Sequence, residues 1–221
     1  MVHPKSNFSA RGWPAVGKAD QHDKEDDIEG HSSIDDYGKV PGPREGAKRL
    51  PAFFYKLSQR LQRCYLKSDS IARFEGFIPD AEARTRLDHL LEALESGTLR
   101  NVQDGVSALM SELCRGFAVP PIRVEVRGVR PHNARGELHG LFRLSKPPEI
   151  LLWMRTAQRH AVVKPRTFLR TLLHELCHYL DYSLLHLDDS FHTMGFFQRE
   201  SFLVRSLLGT ERKAKEGKSH L

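Results

Sequence analysis

The segment His174-Glu175-Leu176-Cys177-His178 decides the expected fold and function of this 221-residue chain. Two histidines four positions apart lie on the same face of an α-helix, one turn above the other. Their imidazoles can therefore reach one metal ion from a single rigid element, and this HExxH spacing is typical of zinc sites. Glu175 adjoins the first histidine, where it can act as general base toward a water on the metal.

The motif lies within a predicted helix over residues 165–185. Pro165 suits the first turn of a helix, and Phe168 and several leucines recur after it at three- and four-residue spacing. This apolar stripe predicts that one side of the helix is buried and that His174 and His178 flank the buried side. A partly buried metal site would be built at that position.

A catalytic zinc site has three protein ligands and one open position, so the motif needs a third ligand. Four candidates follow it: Asp181, His186, His192 and Glu200. We prefer His192, because it stands at the start of a predicted helix over residues 194–208 and can face the first helix without disturbing the apolar stripe of its own. Glu200 would be the ligand of a glutamate-type zincin, and Asp181 is better suited to a hydrogen bond with a ligand imidazole. His186 lies near the end of the first helix.

The remaining segments predict an α+β fold. Apolar residues at helical spacing predict helices over residues 52–66, 79–94 and 102–117, and strict alternation predicts a strand over residues 122–126. Two further strand candidates follow. They cover residues 138–144 and 149–154. We expect these strands to form a small, mostly antiparallel sheet that packs on the HExxH helix.

Composition divides the chain into four parts. Residues 1–50 are rich in glycine, proline and acidic side chains and poor in large apolar ones, which predicts a disordered segment. The predicted helices of residues 51–97 form a helical extension. Residues 98–208 contain the HExxH motif and the predicted strands, and the motif makes them the expected zincin-like metallopeptidase domain. Residues 209–221 are predicted to be a charged flexible tail.

Composition also excludes several classes of protein. No run of about 18 apolar residues is present, which argues against a transmembrane helix and a membrane partner. The first ten residues contain no apolar core of a secretory signal. The three cysteines are far apart in the sequence and form no disulfide framework, so we expect a cytoplasmic protein.

The net charge of +6 and the pI of about 9.3 indicate a mildly basic surface. The positive excess lies in residues 51–221, because basic and acidic side chains nearly balance in residues 1–50. A basic run leads into the HExxH helix: Arg155, Arg159, Lys164, Arg166 and Arg170. This surface predicts at most a weak contact with nucleic acid.

The order of the predicted elements resembles the SprT-like zinc metallopeptidases, which include the Spartan proteases. The resemblance covers about residues 100–208 and rests on His174, Glu175 and His178, together with the later segment HTMGF at residues 192–196. It implies a zincin fold, zinc bound by these two histidines and His192, and Glu175 as catalytic base. Family members cleave proteins, and the Spartan branch acts on proteins crosslinked to DNA.

The sequence therefore predicts a zinc-dependent metallopeptidase that hydrolyses a protein or peptide substrate by a glutamate-assisted, zinc-bound water, with DNA-associated proteins as one candidate substrate. An alternative is a non-catalytic zinc-binding module, or a nucleic-acid- or protein-binding module, with a structural or vestigial HExxH site. A third is a zinc hydrolase that acts on a non-peptide amide. An open coordination position distinguishes a catalytic zinc from a structural one, whose four ligands all come from the protein.

Overall fold

The computed structural model describes residues 50–133 and 136–209. The predictions made for residues 1–49 and 210–221 therefore lie outside the described part. Within that part, no helix has both the length and the apolar character needed to cross a membrane. The three cysteines all carry free, buried thiols.

The described residues form five α-helices, most of which begin at a residue suited to a helix start. Side-chain oxygens of Ser58, Asp80 and Thr193 accept hydrogen bonds from backbone N–H groups in the first turn of the helices that follow them. Pro165 occupies the first turn of the HExxH helix, as expected. The helices are α1 (Gln59–Ser70), α2 (Ala81–Ser96), α3 (Leu99–Gly116), α4 (Pro165–Ser183) and α5 (Met194–Leu208).

The single helix predicted over residues 52–66 is wrong. The chain instead forms a 3-10 helix at Ala52–Lys56, and α1 follows it. Leu57 and Ser58 between them are extended, and Ser58 caps the new helix through a hydrogen bond from the Leu61 backbone N–H. The apolar spacing continues across this break, so periodicity alone did not reveal it.

Five strands form two sheets in the described residues. They are β1 (Arg123–Val129), β2 (His132–Asn133), β3 (Gly136–Glu137), β4 (Gly140–Arg143) and β5 (Glu149–Arg155). The larger sheet has the order β1-β5-β4, and β2 pairs only with β3. The fold is therefore mixed α+β, as the sequence predicted.

The larger sheet is mixed, which corrects the expectation of a mostly antiparallel one. Its longest pairing, between β1 and β5, is parallel and runs from Arg123 opposite Glu149 to Val129 opposite Arg155. Only β4 and β5 pair in opposite directions. The central strand β5 is buried on both faces, and such a continuous apolar run carries no signal of the direction of its neighbours.

The helical extension shares one hydrophobic core with the rest of the described chain. Leu90 on α2, Leu109 on α3, Ile150 on β5 and Leu172 on α4 are all fully buried and belong to the same cluster. The part of the extension from Phe74 to Leu94 therefore belongs to the core on which the HExxH helix packs.

Helix α1 meets the start of α5 at Gly195, where the two backbones approach closely. A Cβ atom at this position would lie 2.3 Å from the carbonyl oxygen of Ser68 and 2.7 Å from that of Asp69. Only glycine fits, because two backbone segments cannot yield as a flexible side chain would.

We expect Gly195→Ala to lower the free energy of unfolding by about 1–3 kcal/mol or more, because the added methyl overpacks this contact. Gly128→Ala is the matched control, since a Cβ atom there meets nothing within 4 Å. Urea unfolding of both variants measures the difference. If the two variants have the same free energy of unfolding, the backbones of α1 and α5 do not approach each other closely enough at Gly195 to exclude a methyl group.

Candidate metal centre

Three histidines converge on one face of the HExxH helix. His174 and His178 lie one turn apart on α4, and His192 lies immediately before the capping residue of α5. The Nε2 atom of His192 is 3.0 Å from the Nε2 atoms of both other imidazoles. The three side chains lie close enough to bind one metal ion.

Each α4 histidine has its other ring nitrogen fixed by a hydrogen bond. His174 Nδ1 lies 2.9 Å from the carboxylate of Glu200, and His178 Nδ1 lies 2.7 Å from the hydroxyl of Ser190. The Ser190 hydroxyl donates its own proton to Asp181 at 2.7 Å, so it accepts from His178. Both Nδ1 atoms therefore carry the ring proton, and both Nε2 atoms present a lone pair.

The donor set fits a metal ion. Neutral His192 has at most one proton on Nε2, so it can donate to only one of the two Nε2 lone pairs that lie 3.0 Å away. A cation, in contrast, attracts the Nε2 lone pairs of all three histidines. Nitrogens bound to tetrahedral zinc at about 2.0–2.1 Å lie roughly 3.3 Å apart, close to the observed spacing. Imidazole also binds copper, iron and nickel, so the geometry gives a metal site without selecting the metal.

Burial keeps two of the imidazoles neutral. It lowers the pKa of His192 to about 4 and that of His178 well below its ordinary value, and the neighbouring histidine His174 adds to both effects. Burial alone would raise the pKa of Glu200, but hydrogen bonds from His174 and Arg170 hold it below its ordinary value. The lone pairs are thus available at neutral pH, and the carboxylate behind His174 is charged.

Glu175 lies beside the cluster, against strand β4. Its carboxylate accepts a hydrogen bond of 2.7 Å from the backbone N–H of Phe142. Burial raises the pKa of Glu175 to about 7. Gly140 makes room for this side chain, because a Cβ atom there would lie 2.7 Å from Oε1 of Glu175. The carboxyl therefore sits at a pKa suited to taking up and returning a proton near neutral pH.

Aromatic rings enclose the cluster on two sides. The ring of Phe196 lies below all three imidazoles, with centroid distances of 5.0 Å to His174, 4.7 Å to His178 and 5.0 Å to His192. Phe142 on β4 stacks on His178 at 6.4 Å. The metal site therefore has an apolar floor and one apolar wall.

The other three candidate ligands lie outside the cluster. Glu200 contacts the far edge of the His174 ring, where it acts as a hydrogen-bond acceptor and not as a ligand. Asp181 is fully buried and bonds to Ser190 and Arg199. The direct hydrogen bond to a ligand imidazole that the sequence predicted is not among these contacts, because Ser190 lies between Asp181 and His178. His186 is exposed and falls outside the cluster.

Sequence reasoning missed Ser190 and Arg199. Ser190 gave no signal, because a serine in a loop between helices is common and its partner is set by the folded chain. Arg199 did give one. It lies on the buried face of α5, between Phe196 and Leu203, where its side chain is 0% exposed. A charged residue at a core position of a helix indicates a specific buried partner.

Two members of the basic run have internal partners. Arg155 donates to the backbone carbonyls of His160 and Gly97, and Arg170 forms an ion pair with Glu200 at 2.6 Å. These two side chains therefore support the fold and the metal site, which reduces the basic surface left for phosphate groups.

We expect Glu200→Gln to weaken metal binding about 10–100-fold, because it removes the charge that orients His174 and makes it a stronger ligand. Glu92→Gln is the control, since Glu92 is exposed on α2. Competition with a chromophoric chelator gives the zinc affinity of each. An unchanged affinity in Glu200→Gln would mean that this hydrogen bond has no effect on the ligand.

The candidate metal centre rests on this geometry and on the chemistry of its side chains. No protein-family model, curated protein or solved structure matches the chain.

Proposed function

We propose that the protein is a zinc-dependent metallopeptidase. The observation that carries the proposal is the convergence of three Nε2 atoms, two of them 3.0 Å from the third, beside a buried glutamate whose pKa is about 7. Three histidine ligands with a neighbouring general base are typical of catalytic zinc sites. His174, His178 and His192 would hold the ion.

Bound zinc would polarise a carbonyl and lower the pKa of a water to about 7. Glu175 would accept the proton of the attacking water and pass it to the leaving amine. The Phe142 N–H holds this carboxylate beside the histidines, and a bound dication would favour its charged, proton-accepting form. The aromatic rings of Phe196 and Phe142 would exclude bulk water from two sides, which strengthens the electrostatic interactions within the site.

Strand β4 is the segment along which we expect a peptide to bind. Of the two strand candidates, β5 is paired on both edges, whereas β4 is an edge strand of its sheet. The backbone N–H of Phe142 on β4 points away from β5 and donates to Glu175. An extended peptide that adds to this edge would therefore pair with the remaining backbone groups of β4 and lie next to the general base.

The same residues support the resemblance to the SprT-like metallopeptidases. That resemblance implies the three histidines as zinc ligands and Glu175 as the base, and the proximity of these side chains supports it. We therefore favour a protein substrate over a non-peptide amide.

Three measurements on the full chain test the proposal. We expect about one zinc per chain by elemental analysis. We expect acetohydroxamate to change the visible spectrum of the cobalt-substituted protein, because a catalytic site has an exchangeable position. We also expect slow hydrolysis of fluorescently labelled, unfolded casein that a chelator stops.

Other outcomes overturn the proposal. The protein could bind zinc while acetohydroxamate leaves the spectrum of the cobalt-substituted protein unchanged. That result would indicate a closed structural site, and the protein would then be a binding module. Folded protein that takes up no zinc would make the HExxH motif vestigial. DNA binding that weakens steeply with salt, without any hydrolysis, would favour a nucleic-acid-binding role.

A further inference from the structure

We propose that Ser190 and Asp181 position His178 for metal binding, and that Arg199 holds this pair in place by clamping it to helix α1. The inference rests on the proposed metal site but does not depend on peptidase activity. It assigns a role in the metal centre to the helical extension, which the HExxH motif does not include.

The first part of the chain of contacts is a relay of hydrogen bonds from His178. Its Nδ1 lies 2.7 Å from the Ser190 hydroxyl, and that hydroxyl donates to Oδ2 of Asp181 at 2.7 Å. A second hydrogen bond holds the backbone of Ser190 in place, because its N–H donates to the Asp189 carboxylate at 2.8 Å. The hydroxyl therefore has one orientation, in which it accepts the proton of His178.

The second part is a buried ion pair. Oδ1 of Asp181 accepts a hydrogen bond of 2.8 Å from Arg199, and both side chains are 0% exposed. A buried carboxylate without a partner is very unfavourable, so Arg199 is needed to keep Asp181 charged and fixed at the end of the relay. Its guanidinium carbon lies 5.9 Å from the ring centre of Phe74 and 5.8 Å from that of Phe196, and these contacts limit its movement.

The third part connects the guanidinium to α1. Arg199 donates to the backbone carbonyls of Ser68 and Ile71 at 2.7 Å each, and to the Ser68 hydroxyl at 3.0 Å. Helix α1 ends at Ser70 and Ile71 is its C-terminal cap, so both carbonyls lie at the C-terminal end of the helix, where a cation is favourable. The end of α1 thus fixes Arg199, Arg199 fixes Asp181, and Asp181 fixes the serine that orients His178.

Serine variants test the relay directly. We expect Ser190→Ala to weaken zinc binding about 10–100-fold, as is usual when the hydrogen-bond partner of a ligand is removed. Ser190→Thr keeps the hydroxyl and is expected to restore the affinity to within a few-fold of wild type. Ser183→Ala is the matched control, because Ser183 lies on α4 and its hydroxyl donates to the Tyr179 carbonyl instead of contacting a histidine of the cluster.

The readouts are the zinc affinity, by chelator competition, and the visible spectrum of the cobalt form. A loosened His178 changes the ligand field, so we expect Ser190→Ala to alter the spectrum and Ser183→Ala to leave it as in wild type. If Ser190→Ala binds zinc as tightly as wild type with the same cobalt spectrum, the inference is wrong while the metal site stands. If wild type itself binds no zinc, the proposed function fails instead.

A double-mutant cycle tests whether Arg199 acts through the relay. We expect Arg199→Met and Ser190→Ala each to weaken zinc binding, and the double variant to be little weaker than the worse of the two, because both break one pathway. Fully additive losses would show that Arg199 acts independently of Ser190. If Arg199→Met does not fold, Ser68→Ala, which removes only the hydroxyl from this contact, takes its place in the cycle.

Discussion

Replacing Glu175 with glutamine should abolish measurable hydrolysis while leaving zinc bound. Glutamine has the size of glutamate and still offers an oxygen to the Phe142 N–H, which lies 2.7 Å away, so the geometry of the site is kept. It cannot accept a proton, and general base catalysis contributes about 100- to 10,000-fold to rates of this kind. The rate of casein hydrolysis and the zinc content of the same sample give both quantities.

The control for this variant is Glu92→Gln, the same chemical change at an exposed position on α2. We expect it to match wild type in both measurements. Undiminished hydrolysis by Glu175→Gln would rule out Glu175 as the base. If Glu175→Gln loses both its bound zinc and its hydrolytic activity, this carboxylate supports the metal centre. Its role in proton transfer would then be unsupported.

Replacing His192 with alanine should reduce the zinc content from about one per chain to near zero. His192 is the only one of the three histidines that α4 does not supply, and its Nε2 lies 3.0 Å from each of the other two. The remaining pair on α4 can still bind an ion, but two imidazoles hold it far less tightly than three. Elemental analysis after dialysis against a weak chelator measures the loss.

His186→Ala is the matched control, because His186 also follows the motif and is exposed outside the cluster. We expect it to retain full zinc content. Zinc retained by His192→Ala would point to another third ligand, and Glu200 would then have to rotate away from His174 to supply it. A melting curve of each metal-free variant separates loss of a ligand from loss of the fold.

The sequence predicted those parts of the site that one helix determines. His174 and His178 are four residues apart, and helical geometry alone places both on one face of α4. His192 could be preferred because a residue just before a helix can face its neighbour without occupying the core. Its distance from the other two imidazoles depends on how α5 packs on α4, which no local pattern encodes.

The sheet shows where local patterns stop being informative. The alternation in residues 122–126 predicted β1, and the apolar run in residues 149–154 predicted β5. Their parallel pairing depends on the path of the chain between them, through β2, β3 and β4. The break between the 3-10 helix and α1 was missed for a similar reason, because apolar spacing continues through Leu57 and Ser58.

The relay behind His178 could not be predicted, since its members are scattered along the sequence. Arg199 and Ser68 are 131 residues apart, and Ser190 is a loop residue. The proposed catalytic role of Glu175 and the identity of the metal remain predictions that the measurements above address.

The clamp between Ser68 and Arg199 also has a consequence for how the chain folds. It closes a loop of 131 residues, and contacts between residues so distant in sequence are made slowly, because chain entropy must be lost first. Helix α4 is long enough to form early, with His174 and His178 already on one face, whereas His192 is held in place only when α5 docks beside α1. We therefore expect a refolding chain to capture zinc loosely at first and to reach its final affinity only with the last, slowest step of folding.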